Sequence, residues 1–326
     1  MSAFAGLVDG DFEAYAPKKW RSNVYNRERL EVKQKLVALG RELAPHLAAA
    51  DGSPLEVEPS VEHPALWNHK LVDAQHLFFS RNEGARKELD RIIERGQSLA
   101  SRIDDPTPQR NHLFLALTIA HEQAEAALKL HPDARVDRQN LERKCEDHFE
   151  REKLAHLIAR LPEGFRFGVG GTPLVEARTA DEARVVEVLA AFQKPPPPAP
   201  AFLPPNAPPP VTPWFEVVCA FKRTDVVAAG PGFVEQARAA LGALLPLYQF
   251  IAWSRDNDYV SMRDVLQKEK QAKRQRGLAK HDEVRVVRGM FTGKLGVVQE
   301  IDARGAIKLL VGNVAVKVDA EDVVKR

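Results

Sequence analysis

The chain has 326 residues, a length that predicts two or three domains rather than one. Hydrophobic residues make up 44% of the chain and charged residues 28%, values close to the globular average that exclude the disordered and membrane-spanning classes. The formal net charge of +2 does not decide between acidic and basic partners, because a balanced total can contain a strongly basic stretch.

No segment approaches the roughly 18 continuous apolar residues that a membrane span requires, and residues 1–10 lack the layout of a signal peptide. We therefore expect a cytoplasmic protein with no membrane partner. Cys145 and Cys219 are too few for a disulfide framework or for a zinc site built from cysteines. Both are interpreted as buried apolar side chains.

The N-terminal segment, residues 1–52, is predicted to be helical. Apolar residues recur at helical spacing and predict a helix over 26–49, with one face formed by Val32, Leu36, Leu39, Leu43 and Leu47. Aromatic residues precede this helix, and we expect them to hold it against the rest of the protein: Phe12, Tyr15, Trp20 and Tyr25.

Residues 53–260 mix strand and helix patterns and predict an α+β domain with an antiparallel sheet. An apolar run at 72–79 is typical of a strand, and Ser80 with Glu83 forms a capping box that begins a helix to about residue 99. Two apolar runs, at 112–119 and 124–130, predict a β-hairpin. Its tip, at His121 and Glu122, should be exposed.

Two further helices follow in the same domain. Apolar spacing over 137–161 predicts one long helix, which Pro162 and Gly164 end. Thr179 and Glu182 repeat the capping-box pattern and begin a helix over 181–192.

A proline-rich excursion occupies residues 195–213, where eleven of nineteen residues are proline. Such a segment cannot form ladder or helix hydrogen bonds, so we expect an extended spacer, with a ligand for an SH3-like groove as the alternative. The residues after it predict a strand at 214–223 and a helix at 233–253 that Pro246 kinks or divides. One strand and one helix cannot form a core alone, so this piece should fold back onto the preceding domain.

The C-terminal region combines a basic connecting helix at 261–281 with five short predicted strands at 282–326. The strands are rich in Val, Ile and Leu, and the connections contain Gly289, Gly293 and the pair Gly312-Asn313. Five such strands bury their apolar residues by curling into a small barrel of SH3-like size.

The same residues resemble the KOW motif of NusG-type transcription factors and of several ribosomal proteins. The resemblance covers Val284 to Val286, Gly289 to Val298 and Ile301-Asp302, about one seventh of the chain, and places Gly296 at the hallmark glycine of the motif. It implies contact with RNA, RNA polymerase or ribosomal components through loops at one end of the barrel.

Candidate nucleic-acid-binding residues come from this motif and from the basic stretch before it. Phe291 is either a stacking platform or part of the core, and the basic stretch is either a phosphate-binding surface or a solvated helix. Arg285 and Arg288 are alternatively solvent-facing residues of an edge strand. The full set is Lys268, Lys270, Lys273, Arg274, Arg276, Lys280, Arg285, Arg288, Phe291, Thr292 and Lys294.

No motif for catalysis, cofactor binding or metal binding is found in the body. His63, His69 and His76 are not spaced as ligands on one helical face, and the polar run at 256–258 is interpreted as a turn rather than a cation site. The stretches Trp67 to Gln75 and Asp137 to Leu141 resemble bacterial proteins of unassigned function with an α+β body. We therefore expect no cofactor, no metal and no catalytic residues.

Three functions remain open. The first is a non-enzymatic protein that binds RNA or an RNA-processing machine through the KOW barrel and the basic helix. The second is an enzyme with its site in the α+β body and the barrel as a substrate-binding module, which a deep polar pocket with a carboxylate or histidine of shifted pKa would favour. The third is a scaffold whose barrel binds only protein.

Overall fold

Two separate antiparallel sheets organise the protein. The computed structural model describes residues 3–49, 52–65, 68, 70–94, 108–194, 212–260, 280–287, 291–301, 306–312, 314–319 and 322–325. The chain divides into two units, Met1–Tyr259 and Val260–Arg326. We call them the body and the C-terminal unit. The protein is therefore of the α+β class, with helix and antiparallel sheet mixed in the body and a small all-β sheet at the C-terminal end.

The body has a seven-stranded sheet with helices packed on one face. The strand order is β1-β2-β3-β4-β7-β5-β6, and every pair is antiparallel. The strands are β1 Glu56–Pro59, β2 Ala74–Ser80, β3 Phe114–Ala120, β4 Gln123–Leu130, β5 Phe165–Val169, β6 Val175–Glu176 and β7 Phe215–Lys222. The predicted hairpin is confirmed as β3 and β4, although His121 at its tip is only partly exposed.

The described helices of the body range in length from four to nineteen residues. They are α1 Asp9–Glu13, α2 Asn26–Leu43, α3 Glu83–Glu94, α4 Pro108–Asn111, α5 Arg135–Lys144, α6 His148–Ala159, α7 Glu182–Gln193, α8 Arg223–Ala229 and α9 Phe233–Ile251. No described helix has both the length and the apolar character needed to cross a membrane.

The predicted helix over 26–49 and the packing of the aromatic residues that precede it are confirmed in outline. Phe12 and Tyr15 are fully buried, and the indole of Trp20 donates to the backbone oxygen of Tyr15 at 2.7 Å. Helix α2 ends at Leu43, because Pro45 lacks the N–H that a further helical bond requires. Gly40 lets α2 approach the sheet: a Cβ there would lie 2.8 Å from side-chain atoms of Val57 and Leu77.

The strand after the prolines lies inside the sheet, between β4 and β5. All eight residues of β7 pair with β4, from Phe215 opposite Leu130 to Lys222 opposite Gln123. Helix α9 packs on β3 and β4, so the residues on both sides of the excursion share one core. Pro246 does not divide α9, which is continuous over nineteen residues. Most of the excursion, residues 195–211, lies outside the described residues.

The single long helix predicted over 137–161 is wrong, because the chain forms α5 and α6 with a break between them. The Asp147 side chain accepts hydrogen bonds from the backbone N–H groups of Phe149 and Glu150, at 2.8 and 3.2 Å, and so begins a new helix. The break rotates the helical faces, and Phe149 at the start of α6 is 76% exposed.

Both predicted capping boxes are also wrong. Helix α3 is capped by Asn82, whose side-chain oxygen accepts from the Ala85 N–H at 2.9 Å. Helix α7 is capped by Asp181, which accepts from the Arg184 N–H at 2.8 Å. The Thr179 hydroxyl donates instead to the Glu176 backbone oxygen. In both helices, an Asn or Asp closer to the first turn accepts the capping hydrogen bond in place of the predicted Ser or Thr.

The C-terminal unit is a five-stranded antiparallel sheet in the order β11-β10-β9-β8-β12. Its strands are β8 Glu283–Val286, β9 Leu295–Ile301, β10 Ala306–Val311, β11 Val314–Asp319 and β12 Val323–Lys325. They bury a small core of their own: Val284, Val286, Val298, Ile307, Leu309 and Val323. The five predicted strands are confirmed, and they form a sheet of their own. Closure of this sheet into a barrel stays a prediction.

Gly296 lies where the sheet leaves little space for a side chain. A Cβ at this position would lie 3.0 Å from a Val311 methyl carbon and 3.1 Å from the Leu310 backbone oxygen. A side chain here would push neighbouring atoms of β10 aside by a few tenths of an ångström, so the close approach of β9 to β10 favours glycine. Gly293 has φ +84°, the left-handed conformation that its loop needs.

Candidate functional site

Five of the eleven candidate nucleic-acid-binding residues lie in the described part of the chain. Lys280, Arg285, Thr292 and Lys294 are exposed, and Phe291 is half-buried. Lys280 lies in a turn before β8. The other six candidates lie outside the described residues: Lys268, Lys270, Lys273, Arg274, Arg276 and Arg288. Residues 261–279 of the predicted connecting helix also lie outside them.

The β8–β9 loop is where the candidate residues come together. The Gly293 N–H donates to the Val286 oxygen at 2.7 Å, and the Val286 N–H donates to the Lys294 oxygen at 3.0 Å. These bonds fix the base of the loop, and Thr292 and Lys294 extend from it into solvent. Phe291 packs against the apolar core of the C-terminal unit, so the core interpretation of its ring has direct structural support.

Arg285 lies in a row of exposed side chains that crosses three strands. It pairs with Leu295 on β9 and with Val324 on β12, and cross-strand partners project from the same face of a sheet. Leu295 is 46% exposed and Val324 is 56% exposed. The face around Arg285 is therefore basic at its centre and apolar at its flanks.

Charge is distributed unevenly along the chain. Residues 262–326 contain fifteen Lys and Arg against nine Asp and Glu, whereas residues 1–261 contain thirty-two against thirty-six. The near-neutral total of +2 thus combines an acidic body with a basic C-terminal region. Within residues 280–325 the charges are close to balanced, so most of the excess belongs to the stretch before β8.

The body contains a charged cluster that the sequence analysis missed. It lies on the sheet face opposite to the main apolar core. The Lys129 ammonium lies 3.0 Å from a Glu125 carboxylate oxygen and 3.3 Å from one of Glu216. Beside it, His76 Nδ1 lies 2.9 Å from the Thr118 hydroxyl. The signal in the sequence is the alternation of polar and apolar residues along β4, which had been interpreted only as an apolar run.

The pKa values of this cluster reflect burial and mutual charge. Burial lowers the pKa of His76 to about 4, and the Lys129 charge acts in the same direction. Burial alone would lower the pKa of Lys129 too, but the two neighbouring carboxylates outweigh it and raise that pKa. Burial raises the pKa of Glu216 against the effect of Lys129. At neutral pH the His76 imidazole is therefore neutral, and it lies beside a lysine placed between the side chains of Glu125 and Glu216.

The body has a pocket of about 330 Å³, but none of Glu125, Lys129, Glu216 and His76 lines it. Among the described residues, no group of three or more His, Cys, Asp or Glu side chains could hold a metal ion. The polar run at 256–258 forms a turn in which the Asn257 amide donates to the backbone oxygens of Phe250 and Ala252, at 3.0 and 2.7 Å.

Comparison with known proteins adds no assignment. The chain matches no protein-family model, and no curated protein resembles it significantly.

Proposed function

We propose that this chain is a cytoplasmic accessory protein that binds nucleic acid or a ribonucleoprotein through its C-terminal region. In this proposal the five-stranded sheet closes into a KOW-type barrel, and its partners are RNA, RNA polymerase or ribosomal components. The body recruits or positions a second component and performs no catalysis. The resemblance of residues 284–302 to the KOW motif is the basis for the class of partner.

The observation that carries the proposal is the segregation of charge. Six more Lys and Arg than Asp and Glu lie in residues 262–326, and the body has four fewer. A basic stretch binds phosphate backbones by releasing condensed counterions, without reading the base sequence. Lys280, Arg285 and Lys294 belong to this count, and their side chains are exposed.

A salt titration of the whole chain tests this proposal. Binding of a labelled single-stranded RNA is measured by fluorescence anisotropy between about 50 and 200 mM KCl, the range over which phosphate contacts lose most of their affinity. The variant replaces Lys268, Lys270, Lys273, Arg274 and Arg276 with glutamine. Each lost phosphate contact reduces the slope of log K against log salt by about 0.7, so five contacts reduce it by about 3.5.

A matched control keeps the total charge of the variant. It replaces five exposed cations of the body with glutamine, Arg27, Lys87, Arg135, Arg160 and Lys222. We expect this control to bind RNA like the natural chain. Equal salt slopes for the two five-residue variants, or no binding by the natural chain at about 50 mM salt, would refute nucleic-acid binding.

A protein partner is the second candidate, favoured by the exposed apolar side chains beside Arg285. Leu295 and Val324 contribute exposed apolar surface next to Arg285, and arginine is enriched in protein interfaces. A double Leu295→Ser and Val324→Ser variant weakens this contact and leaves the RNA salt slope unchanged. Pull-down of RNA polymerase and ribosomes after nuclease treatment separates the two candidates.

A further inference from the structure

Apolar packing in the body ends at Trp253, and the residues that follow are held mainly by polar contacts. The main apolar core includes the buried face of α9 and Ala252, and Trp253 is 9% exposed. Residues 254–259 are all described, and none of them belongs to that core. Arg255 and Asp256 are exposed, and the other four are half-buried. We call residues 254–259 the exit segment, because they are the last residues of the body before the C-terminal unit.

Two buried polar side chains of helix α5 hold the exit segment. Asn140 is fully buried, and its side-chain oxygen accepts from the Tyr259 backbone N–H at 2.8 Å. Lys144 is 6% exposed, and its ammonium donates to the Asn257 side-chain oxygen at 2.8 Å. Asn140 and Lys144 are about one turn apart on the same face of α5. A buried polar side chain costs free energy unless it is hydrogen-bonded, and the exit segment supplies these bonds.

Lys144 makes further contacts through its charge. Its ammonium lies 3.9 Å from the centre of the Phe250 ring and 5.1 Å from that of the Tyr259 ring. It also donates to the Phe250 backbone oxygen at 3.3 Å, and a Glu150 carboxylate oxygen lies 3.7 Å away. The charge therefore lies between the end of α9, the start of α6 and the exit segment. Hydrogen bonds from a charged donor are about twice as strong as neutral ones, so Lys144 provides the strongest contact of the segment.

A second anchor lies just before the exit segment and does not involve Lys144. The Asp137 carboxylate accepts from the Trp253 N–H at 2.8 Å, and the Arg81 guanidinium donates to the Trp253 oxygen at 3.2 Å. These bonds and the apolar core keep α9 and Trp253 in place when the contacts of Lys144 are lost. The exit segment can therefore open while the body stays folded, as segments with few buried apolar contacts do.

We infer that the exit segment is a releasable part of the body and that Lys144 holds it closed. When the segment opens, the connection between the body and the C-terminal unit becomes longer by these six residues. Six extended residues span about 20 Å, at about 3.3–3.6 Å per residue. Opening thus increases the reach of the C-terminal unit without unfolding the body. The inference is independent of nucleic-acid binding by the C-terminal region.

Limited trypsin digestion of the full chain tests the inference, because trypsin cleaves after Arg255 only when the exit segment opens. Peptides that end at Arg255 are followed by mass spectrometry. The variant Lys144→Met keeps the length of the side chain and removes its charge. We expect cleavage after Arg255 to be faster by about tenfold or more, since the open population rises by about this factor when one charged hydrogen bond is lost.

A second variant and two controls separate local opening from unfolding of the body. Asn257→Ala removes the same hydrogen bond from the other side and should also accelerate cleavage after Arg255. Lys222→Met is the matched control, because Lys222 is an exposed lysine at the end of β7. Cleavage after Arg166, inside strand β5, reports unfolding of the body and should change much less. Equal rates after Arg255 in Lys144→Met and Lys222→Met overturn the inference, as does an equal acceleration after Arg166 and Arg255.

Discussion

Asp137 is expected to be the most important single side chain for the stability of the body. It is 1% exposed and accepts four hydrogen bonds, two from Arg81 and one each from the backbone N–H groups of Leu113 and Trp253, at 2.9 and 2.8 Å. These contacts join helix α5 to the end of β2, to the residue before β3 and to the chain after α9. Replacing Asp137 with alanine therefore removes the hydrogen bonds that join these four segments of the body.

The cost of Asp137→Ala follows from these contacts. Removing one partner of a buried ion pair costs about 3–5 kcal/mol, because the other charge stays buried. Two backbone N–H groups also lose their acceptor, at about 1–3 kcal/mol each. Contributions at one site do not add fully, so we expect a loss of about 5 kcal/mol or more. That is comparable to the whole stability of an ordinary domain, about 5–15 kcal/mol.

Urea unfolding followed by tryptophan fluorescence measures this loss. All four tryptophans precede residue 260, so the signal reports on the body alone. Asp133→Ala is the control, since Asp133 pairs with Arg110 at 2.7 Å with both side chains well exposed and should cost at most about 1 kcal/mol. An Asp137→Ala variant as stable as this control would show that the Asp137 contacts do not hold the body together.

The same site predicts a pH dependence. Burial alone would raise the pKa of Asp137, but the Arg81 guanidinium and the two N–H donors outweigh it and lower that pKa below its ordinary value. A carboxyl with a lowered folded-state pKa stabilises the fold above its unfolded-state pKa of about 4, and this contribution is lost as the pH falls through the folded-state value. Acid unfolding of the natural chain should therefore depend more steeply on pH than that of Asp137→Asn.

Three further predictions concern other elements. Gly296→Ala should destabilise the C-terminal sheet by about 1–3 kcal/mol, seen as faster amide hydrogen exchange in residues 283–325 with no change in the body. His76 should show no protonation by NMR between pH 8 and about 5, whereas the exposed His148, whose pKa the Glu182 hydrogen bond raises, should titrate above its ordinary range. Asp147→Ala should cost about 1 kcal/mol in urea unfolding, because it removes the N-cap of α6.

Patterns within one element were predicted well from the sequence. Apolar runs bounded by turn residues identified the β3–β4 hairpin and the five C-terminal strands, and helical spacing identified helix α2. The close approach of Val311 and Leu310 to Gly296 joins two strands and is visible only in the structure.

Choices between neighbouring polar residues were predicted poorly. Asn82 and Asp181, rather than Ser80 and Thr179, cap the two helices. The path of the backbone decides which side chain reaches the first free N–H groups, and residue spacing does not reveal that path. Contacts between residues far apart in sequence were not predictable either. Asp137 and Arg81 are 56 residues apart, and Lys129 and Glu216 are brought together only by the pairing of β4 with β7.

Photocrosslinking of RNA to the full chain shows whether residues 262–294 bind nucleic acid, as we propose. The complex is irradiated, digested and mapped by mass spectrometry at about 50 mM salt, where phosphate contacts are strongest. We predict crosslinked peptides from residues 262–294 and their loss on replacing Lys268, Lys270, Lys273, Arg274 and Arg276 with glutamine. Crosslinks confined to residues 1–259, or none at all, would rule out RNA binding by residues 262–294.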